Sequence, residues 1–260
     1  MSKSVLTYTP EKCYSPTTSR LGAHHQILGN AMSLKIRTSV LMLTVAGSLA
    51  AVTVGQIDTF EDGTTLGWHV PGPSPTPPAN VPNDGPLGAG DAYLELVATG
   101  GAGPGGRLAV LNDSRWTGNY LAAGITAVRM DVNNFGPDDL FLRLLFEDFG
   151  PPGPPVNLAL SATAVMVPAN SGWRTIFFPV TPSDLVVDVF GTVTGALTDT
   201  NTLRIFHNPE PTFPGPGVGI PLVNATLGVD NITAVVPEPG TMALLFCGLL
   251  VLVSRRLLMT

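Results

Sequence analysis

Ala127-Val128-Arg129-Met130-Asp131-Val132-Asn133 is the stretch on which the fold turns. Apolar side chains stand at 128, 130 and 132, polar or charged ones at 129, 131 and 133. Successive strand residues point to opposite faces, so this alternation is that of a β-strand with one face buried. The same period returns beyond the turn Gly136-Pro137-Asp138-Asp139. There Leu142, Leu144 and Phe146 share one face of a strand from Leu140 to Glu147, and Arg143 and Glu147 the other. Upstream, strands are expected at Gln56–Phe60, closed by Glu61-Asp62-Gly63, at Ala92–Val97, and at Arg107–Leu111 after a hairpin loop over Gly100–Gly106. Downstream, Leu158–Val167 and Trp173–Val180 read as a pair joined through Ala169-Asn170-Ser171-Gly172, followed by Leu203–Phe206 and Leu227–Val235. Val70–Gly90 carries seven prolines and reads as a loop, since proline cannot donate to a central ladder. A second proline-rich loop spans Pro209–Pro221. Ser183-Asp184 is placed to cap a short helical turn over Leu185–Phe190. Helical periodicity over three turns is missing, and about nine short strands separated by turn signals make an antiparallel sandwich or barrel.

Charge and cysteine bound the partners. All three lysines and both cysteines lie outside Gln56–Val236. That segment holds six arginines against 17 acidic residues, a formal charge of −11. Such a surface repels nucleic acid phosphates and anionic membranes. Without cysteine it has no disulfide staples, and about 180 residues bury enough apolar surface to do without them.

Both ends carry targeting patterns. From Met32 the chain reads Met-Ser-Leu-Lys-Ile-Arg, then Ser39–Val54 without charge. Small residues suited to a signal peptidase follow at Ser48-Leu49-Ala50 and at Thr53-Val54-Gly55, so 32–55 reads as a secretory signal peptide. Residues 1–31 have no targeting pattern; they are a start placed ahead of the true initiator Met32, or a disordered leader. At the other end, Pro237-Glu238-Pro239-Gly240 is an extended spacer, because both prolines lack a donor N–H and restrict the residue before them. The apolar run Met242–Val253 and the pair Arg255-Arg256 follow. Twelve apolar residues at about 1.5 Å each fall short of a hydrocarbon core of about 30 Å.

This order of spacer, apolar run and basic pair resembles the PEP-CTERM sorting signal of Gram-negative bacteria. The resemblance covers residues 237–260 and departs from the usual pattern in the extra Leu257-Leu258-Met259-Thr260. It implies export, processing by an exosortase near Pro237, Glu238 and Pro239, Arg255 and Arg256 as the stop, and an association with exopolysaccharide at the cell envelope or in the extracellular matrix.

The start of the ectodomain, Asp58-Thr59-Phe60-Glu61-Asp62-Gly63 with Trp68, and its end, Gly228-Val229-Asp230-Asn231-Ile232, look like the first and last strands of jelly-roll modules of the carbohydrate-binding and galactose-binding-like type. Their terminal strands lie side by side. That pairing brings Glu61 to Asp230, and a hard divalent cation with 6–8 oxygen ligands relieves the repulsion between two carboxylates. A structural calcium ion on Glu61 and Asp230, with backbone oxygen near Gly63 as the resemblance implies, is one reading; the other is that Asp230 and Asn231 bond loop backbone and Glu61 is solvated.

Catalytic patterns are thin. Gly101–Gly106 fits G-x-G-x-x-G by letter, but no helix opens on it. Asp131-x-Asn133-x-Phe135 fails as a calcium loop at Phe135 and Leu142. His69 and His207 have no recognisable catalytic partner, and no G-x-S-x-G is present. Glu147 and Asp148 are adjacent, so on a strand they face opposite ways and cannot flank one glycosidic bond. Trp68, Trp116, Tyr120 and Trp173 are sugar-stacking or core residues. The expectation is a non-catalytic, exported jelly-roll protein associated with carbohydrate; a secreted carbohydrate-active enzyme and a structural adhesin or matrix protein are the alternatives.

Overall fold

The computed structural model describes residues 51–101, 106–150, 154–213 and 221–236. All of them fall in one compact unit of the chain, Gly47–Thr260. The expected leader, most of the expected signal peptide and the whole segment 237–260 expected to be a sorting signal lie outside the described residues.

Among the described residues are twelve strands and one short helix. In chain order these are β1 (Ile57–Asp58), β2 (Ala79–Val81), β3 (Tyr93–Thr99), β4 (Ala109–Asn112), β5 (Ala127–Asn134), β6 (Leu140–Phe149), β7 (Pro155–Ser161), β8 (Val165–Val167), β9 (Arg174–Pro179), β10 (Leu185–Val187), α1 (Val193–Thr198), β11 (Thr202–His207) and β12 (Asn224–Val235). They form two antiparallel sheets packed as a jelly-roll β-sandwich. The first has the order β2-β3-β12-β5-β9, with β1 also on β12; the second has the order β10-β7-β6-β11-β4, with β8 on β6. Val128, Met130 and Val132 of β5 meet Leu142, Leu144 and Phe146 of β6 in one core, as their alternation requires. The terminal strands are neighbours, with Ile57 opposite Thr233 and Asp58 opposite Ile232.

Several local expectations are corrected. The loop at Gly100–Gly106 is not a hairpin, and the turn at Gly136–Asp139 likewise carries the chain across, because β3 and β4, like β5 and β6, belong to opposite sheets. The Asn134 side chain builds the first crossing: it accepts from Gly136 N (3.0 Å) and donates to Asp138 O (2.8 Å) and Val167 O (3.2 Å). Leu158–Val167 is two strands, broken where the Arg143 guanidinium draws in the carbonyls of Ser161 and Ala162 at 2.6 and 2.9 Å. Neither half pairs with β9, which lies on β5. Leu185–Phe190 is not helical: its β-branched start is strand β10 on β7. The helix comes later, where Thr192 Oγ1 caps α1 by accepting from Gly195 N at 2.9 Å. The proline-rich stretch holds the short strand β2, which is tolerated at a sheet edge.

Asp58 ties the first strand into the core. Its fully buried carboxylate accepts from Trp68 Nε1 (2.9 Å), Trp116 Nε1 (2.8 Å) and Arg115 Nε (3.0 Å). Folded structure begins ahead of β1: Ala51 bridges Thr117, and Val52 is 2% exposed in the core.

Candidate functional site

The register of the first sheet sets an unusual pair. Asp230 of β12 lies directly opposite Asp131 of β5, and the register then slips at a bulge. Like charges opposite each other on neighbouring strands destabilise a sheet. Asn231, held at φ 51°, moderates this pair with its amide, donating to Asp131 Oδ2 at 3.0 Å and to Asp230 Oδ2 at 2.9 Å. Asp131 Oδ1 takes a further bond from Thr175 Oγ1 at 2.5 Å. Asp230 Oδ1 takes none and is buried. Burial and the carboxylates of Asp91, Asp131 and Glu61 push the Asp230 carboxyl up to about 7.

The structure thus brings Glu61 and Asp230 into one electrostatic neighbourhood and adds Asp91 and Asp131, which the sequence reading did not include. Glu61 Oε1 accepts from Ala92 N at 3.0 Å. Gly63, with φ 75°, closes a turn onto the Phe60 carbonyl at 3.1 Å. Among the described residues no three acidic, histidine or cysteine side chains gather closely enough to hold a metal by themselves. The orphaned, buried Oδ1 is the feature that fits a cation, and backbone oxygens would have to complete its shell.

Beside the acids, on the outer side of the same sheet, two rings that reach solvent, Trp173 and Phe135, pack with a third, Tyr93, that is buried. Tyr93 on β3 packs edge-on against Trp173 at a centroid distance of 5.3 Å, Phe135 lies 6.2 Å from Trp173, and Tyr93 and Phe135 are 6.0 Å apart. Gly228 of β12 is the floor. A Cβ there would approach Trp173 Cη2 to 2.8 Å and Phe135 Cε2 to 3.0 Å, so only glycine lets the rings settle on the strand. The β2–β3 loop reaches over this patch, its Asp84 carbonyl accepting from Trp173 Nε1 at 3.0 Å. Trp173 is half-buried and Phe135 is 43% exposed. Of the four aromatic residues singled out in the sequence, Trp68, Trp116 and Tyr120 are core, and Trp173 alone reaches the surface.

On the opposite face, outside the second sheet, the centre is covered, while Val156 and Met166 stay exposed. Leu145, Leu160 and Phe206 form a separate apolar cluster. Phe213 covers it, 5.2 Å from the Phe206 ring, with Arg204 Cζ 5.1 Å from its own centroid. Glu147 is bound to Arg204 at 2.9 and 3.0 Å, and burial pushes its carboxyl up. Asp148 turns away from it and accepts from Asn157 at 2.5 Å, so the two acids do not share a site. His207 is buried, its Nδ1 accepting from Phe141 N at 2.9 Å, and burial lowers its pKa. His69 is outside this region, 3.8 Å from Asp113.

No family model matches the chain, and no curated protein matches it. Among solved structures it is similar to the family 11 carbohydrate-binding module from Clostridium thermocellum in complex with a β-1,3-1,4-mixed-linked tetrasaccharide. That match has 13% identity, 71% of this chain and 98% of that chain, and a TM-score of 0.44. A second structure of the family 11 module, from a cellulosomal cellulase of the same organism, matches at 12% identity over 71% and 95%, TM-score 0.42. An exo-β-agarase matches at 10% identity with TM-score 0.49; 71% of this chain aligns with 26% of that one.

Proposed function

We propose that this is an exported, non-catalytic protein of the cell envelope or extracellular matrix whose sandwich associates with carbohydrate on the outer surface of its first sheet. The observation that carries this reading is the ring patch of Trp173, Phe135 and Tyr93 on Gly228. Trp173 and Phe135 reach solvent there, over a Tyr93 ring that is itself buried, and flat rings stack on the apolar faces of pyranoses. The non-catalytic part is supported by the polar groups themselves: Glu147, Asp148 and His207 are each spent on a structural partner. A calcium ion on Glu61 and Asp230, with Asp91 and Asp131 nearby, would complete the acidic corner and fix the β2–β3 loop beside the rings. The trisecting of the chain into signal peptide, ectodomain and PEP-CTERM segment stands on the sequence alone. Of the two cleavage positions, the one after Ala50 is the one that keeps Ala51 on Thr117 and Val52 in the core. Signal peptidase and an exosortase are the implied processing partners.

The sugar reading is tested by glycan binding of the wild-type protein and the Trp173→Ala variant: binding by the first and loss in the second is expected. Mass spectrometry of the mature protein from its host tests the processing. An amino terminus at Ala51 and the absence of Arg255 and Arg256 are expected; intact arginines would make the segment an ordinary tail anchor.

A further inference from the structure

Strand β9 continues the ring patch in a direction the patch itself does not reveal. Trp173, Thr175, Phe177 and Pro179 alternate onto one face, while Ile176 and Phe178 are buried. Four residues of strand separate Trp173 from Phe177 by roughly 13 Å. Phe177 is 55% exposed. It borders a cleft of about 300 Å³ at the open edge of the sandwich. Val165, Phe177 and Pro179 form apolar walls, and Thr163, Ser183 and Asp184 bring oxygens to the rim. Asp184 uses Oδ2 on Thr181 N at 3.2 Å. Directly across the ladder from Phe177 stands Arg129. Its Nε is buried without a partner, and the side chain makes no hydrogen bond or ion pair among the described residues.

An exposed ring, a guanidinium with free donors beside it and a small cleft rimmed by hydroxyls and a carboxylate share one chemistry. The ring stacks on the apolar face of a pyranose, and the donors and acceptors meet its hydroxyls. A cleft of this size lies at the lower end of small-ligand pockets, which suits one or two sugar units rather than a peptide or lipid. The net charge of −11 on Gln56–Val236 disfavours uronic acids and sulfated sugars at long range.

We infer that Phe177, Arg129 and the cleft at Asp184 form a second carbohydrate subsite, for a neutral pyranose, and that a polysaccharide lies along β9 from Trp173 to Phe177. The inference rests on the reading of the first sheet as a carbohydrate surface and extends it to a track with a direction. Binding should therefore strengthen with oligosaccharide length until both ends are occupied.

Native affinity electrophoresis of the full-length protein, in mild detergent, tests this with barley β-glucan, agarose and xylan as neutral probes and polygalacturonate as the acidic one. Retardation by at least one neutral probe is expected. Phe177→Ala and Arg129→Gln should each weaken it about tenfold or more, and Phe177→Trp should retain it. Phe177 is exposed, so melting temperature should stay at the wild-type value and separate lost binding from lost fold. If Trp173→Ala abolishes retardation and Phe177→Ala and Arg129→Gln leave it unchanged, the second subsite is wrong and the carbohydrate surface stands. Retardation by polygalacturonate alone would overturn the neutral specificity. No retardation by any probe would overturn both.

Discussion

The two outer surfaces of the sandwich are made of similar residues and finished differently. Outside the second sheet the buried charges of β6 are answered, although Arg107 Nε, just ahead of β4, is buried without a partner. Glu147 has Arg204, and Arg143 reaches the carbonyls of Asn208, Ser161, Ala162 and Pro209. Phe213 then closes the apolar floor. Outside the first sheet the answers stop short. Asp230 keeps an orphaned oxygen, Arg129 an orphaned nitrogen, and Phe135 and Phe177 stand in water. The contrast repeats at single-residue scale between Asp58 and Asp230. Both are buried, on strands that touch, but Asp58 is met by two indoles and a guanidinium and Asp230 faces another aspartate. Buried polar groups without partners are costly, and the first sheet's outer surface keeps two of them.

The largest effect should come from damaging the finished surface. Arg204→Met leaves Glu147 buried without its partner and should cost about 3–5 kcal/mol in urea unfolding. The matching change on the unfinished surface should go the other way: in calcium-free buffer at pH 8, Asp230→Asn removes a repelled charge and should raise the melting temperature. A fall there as large as that of Arg204→Met would erase the contrast between the two surfaces.

The next effect is that of calcium. A ligand at about 100 times its dissociation constant adds about 2.7 kcal/mol. Calcium should raise the melting temperature, EDTA should lower it, and Asp230→Ala should abolish the difference. The pH dependence sharpens this. Without metal, the Asp230 carboxyl titrates near 7 in the folded protein against an ordinary 3.8, so its contribution to stability is present below about 4 and lost as pH rises through 7. With calcium the ionised form is the ligand, and affinity should rise over the same interval. Identical melting curves in calcium and EDTA at pH 8 would reduce these acids to turn residues.

How much of this was legible beforehand depends on the range of the interaction. The alternation at Val128, Met130 and Val132 is local, and it named the core face correctly. The pairing of first and last strands followed from two short segments. Sheet membership did not, because Gly136–Asp139 looks like a hairpin turn whether the chain returns beside itself or crosses the core. The sequence shows Asp131 and Asp230 ninety-nine positions apart, and only the register of β5 on β12 makes them neighbours. Three tryptophans are also alike as letters. Trp68 and Trp116 are core and give their N–H groups to the buried Asp58, whereas the half-buried Trp173 gives its N–H to a loop carbonyl. Arg129 and Phe177 carried no sequence signal beyond the alternation they share with every other outward residue.

A smaller effect belongs to His207. Burial lowers its pKa below the ordinary 6.5, and the neutral ring accepts the Phe141 N–H. Its contribution is present above that ordinary value and lost as pH falls through the folded one. Stability should therefore decline on mild acidification, and His207→Asn should flatten that slope. A slope unchanged in the variant would place the acid sensitivity elsewhere.

Smallest of all in stability, and decisive for function, is the loss of the Trp173 ring. A glycan array probed with wild-type protein and with Trp173→Ala, both in calcium, measures the central claim directly. The wild type should retain at least one neutral glycan, and the variant should melt close to the wild-type temperature and retain none. Equal binding by both proteins, or no neutral glycan retained by the wild type, would contradict it.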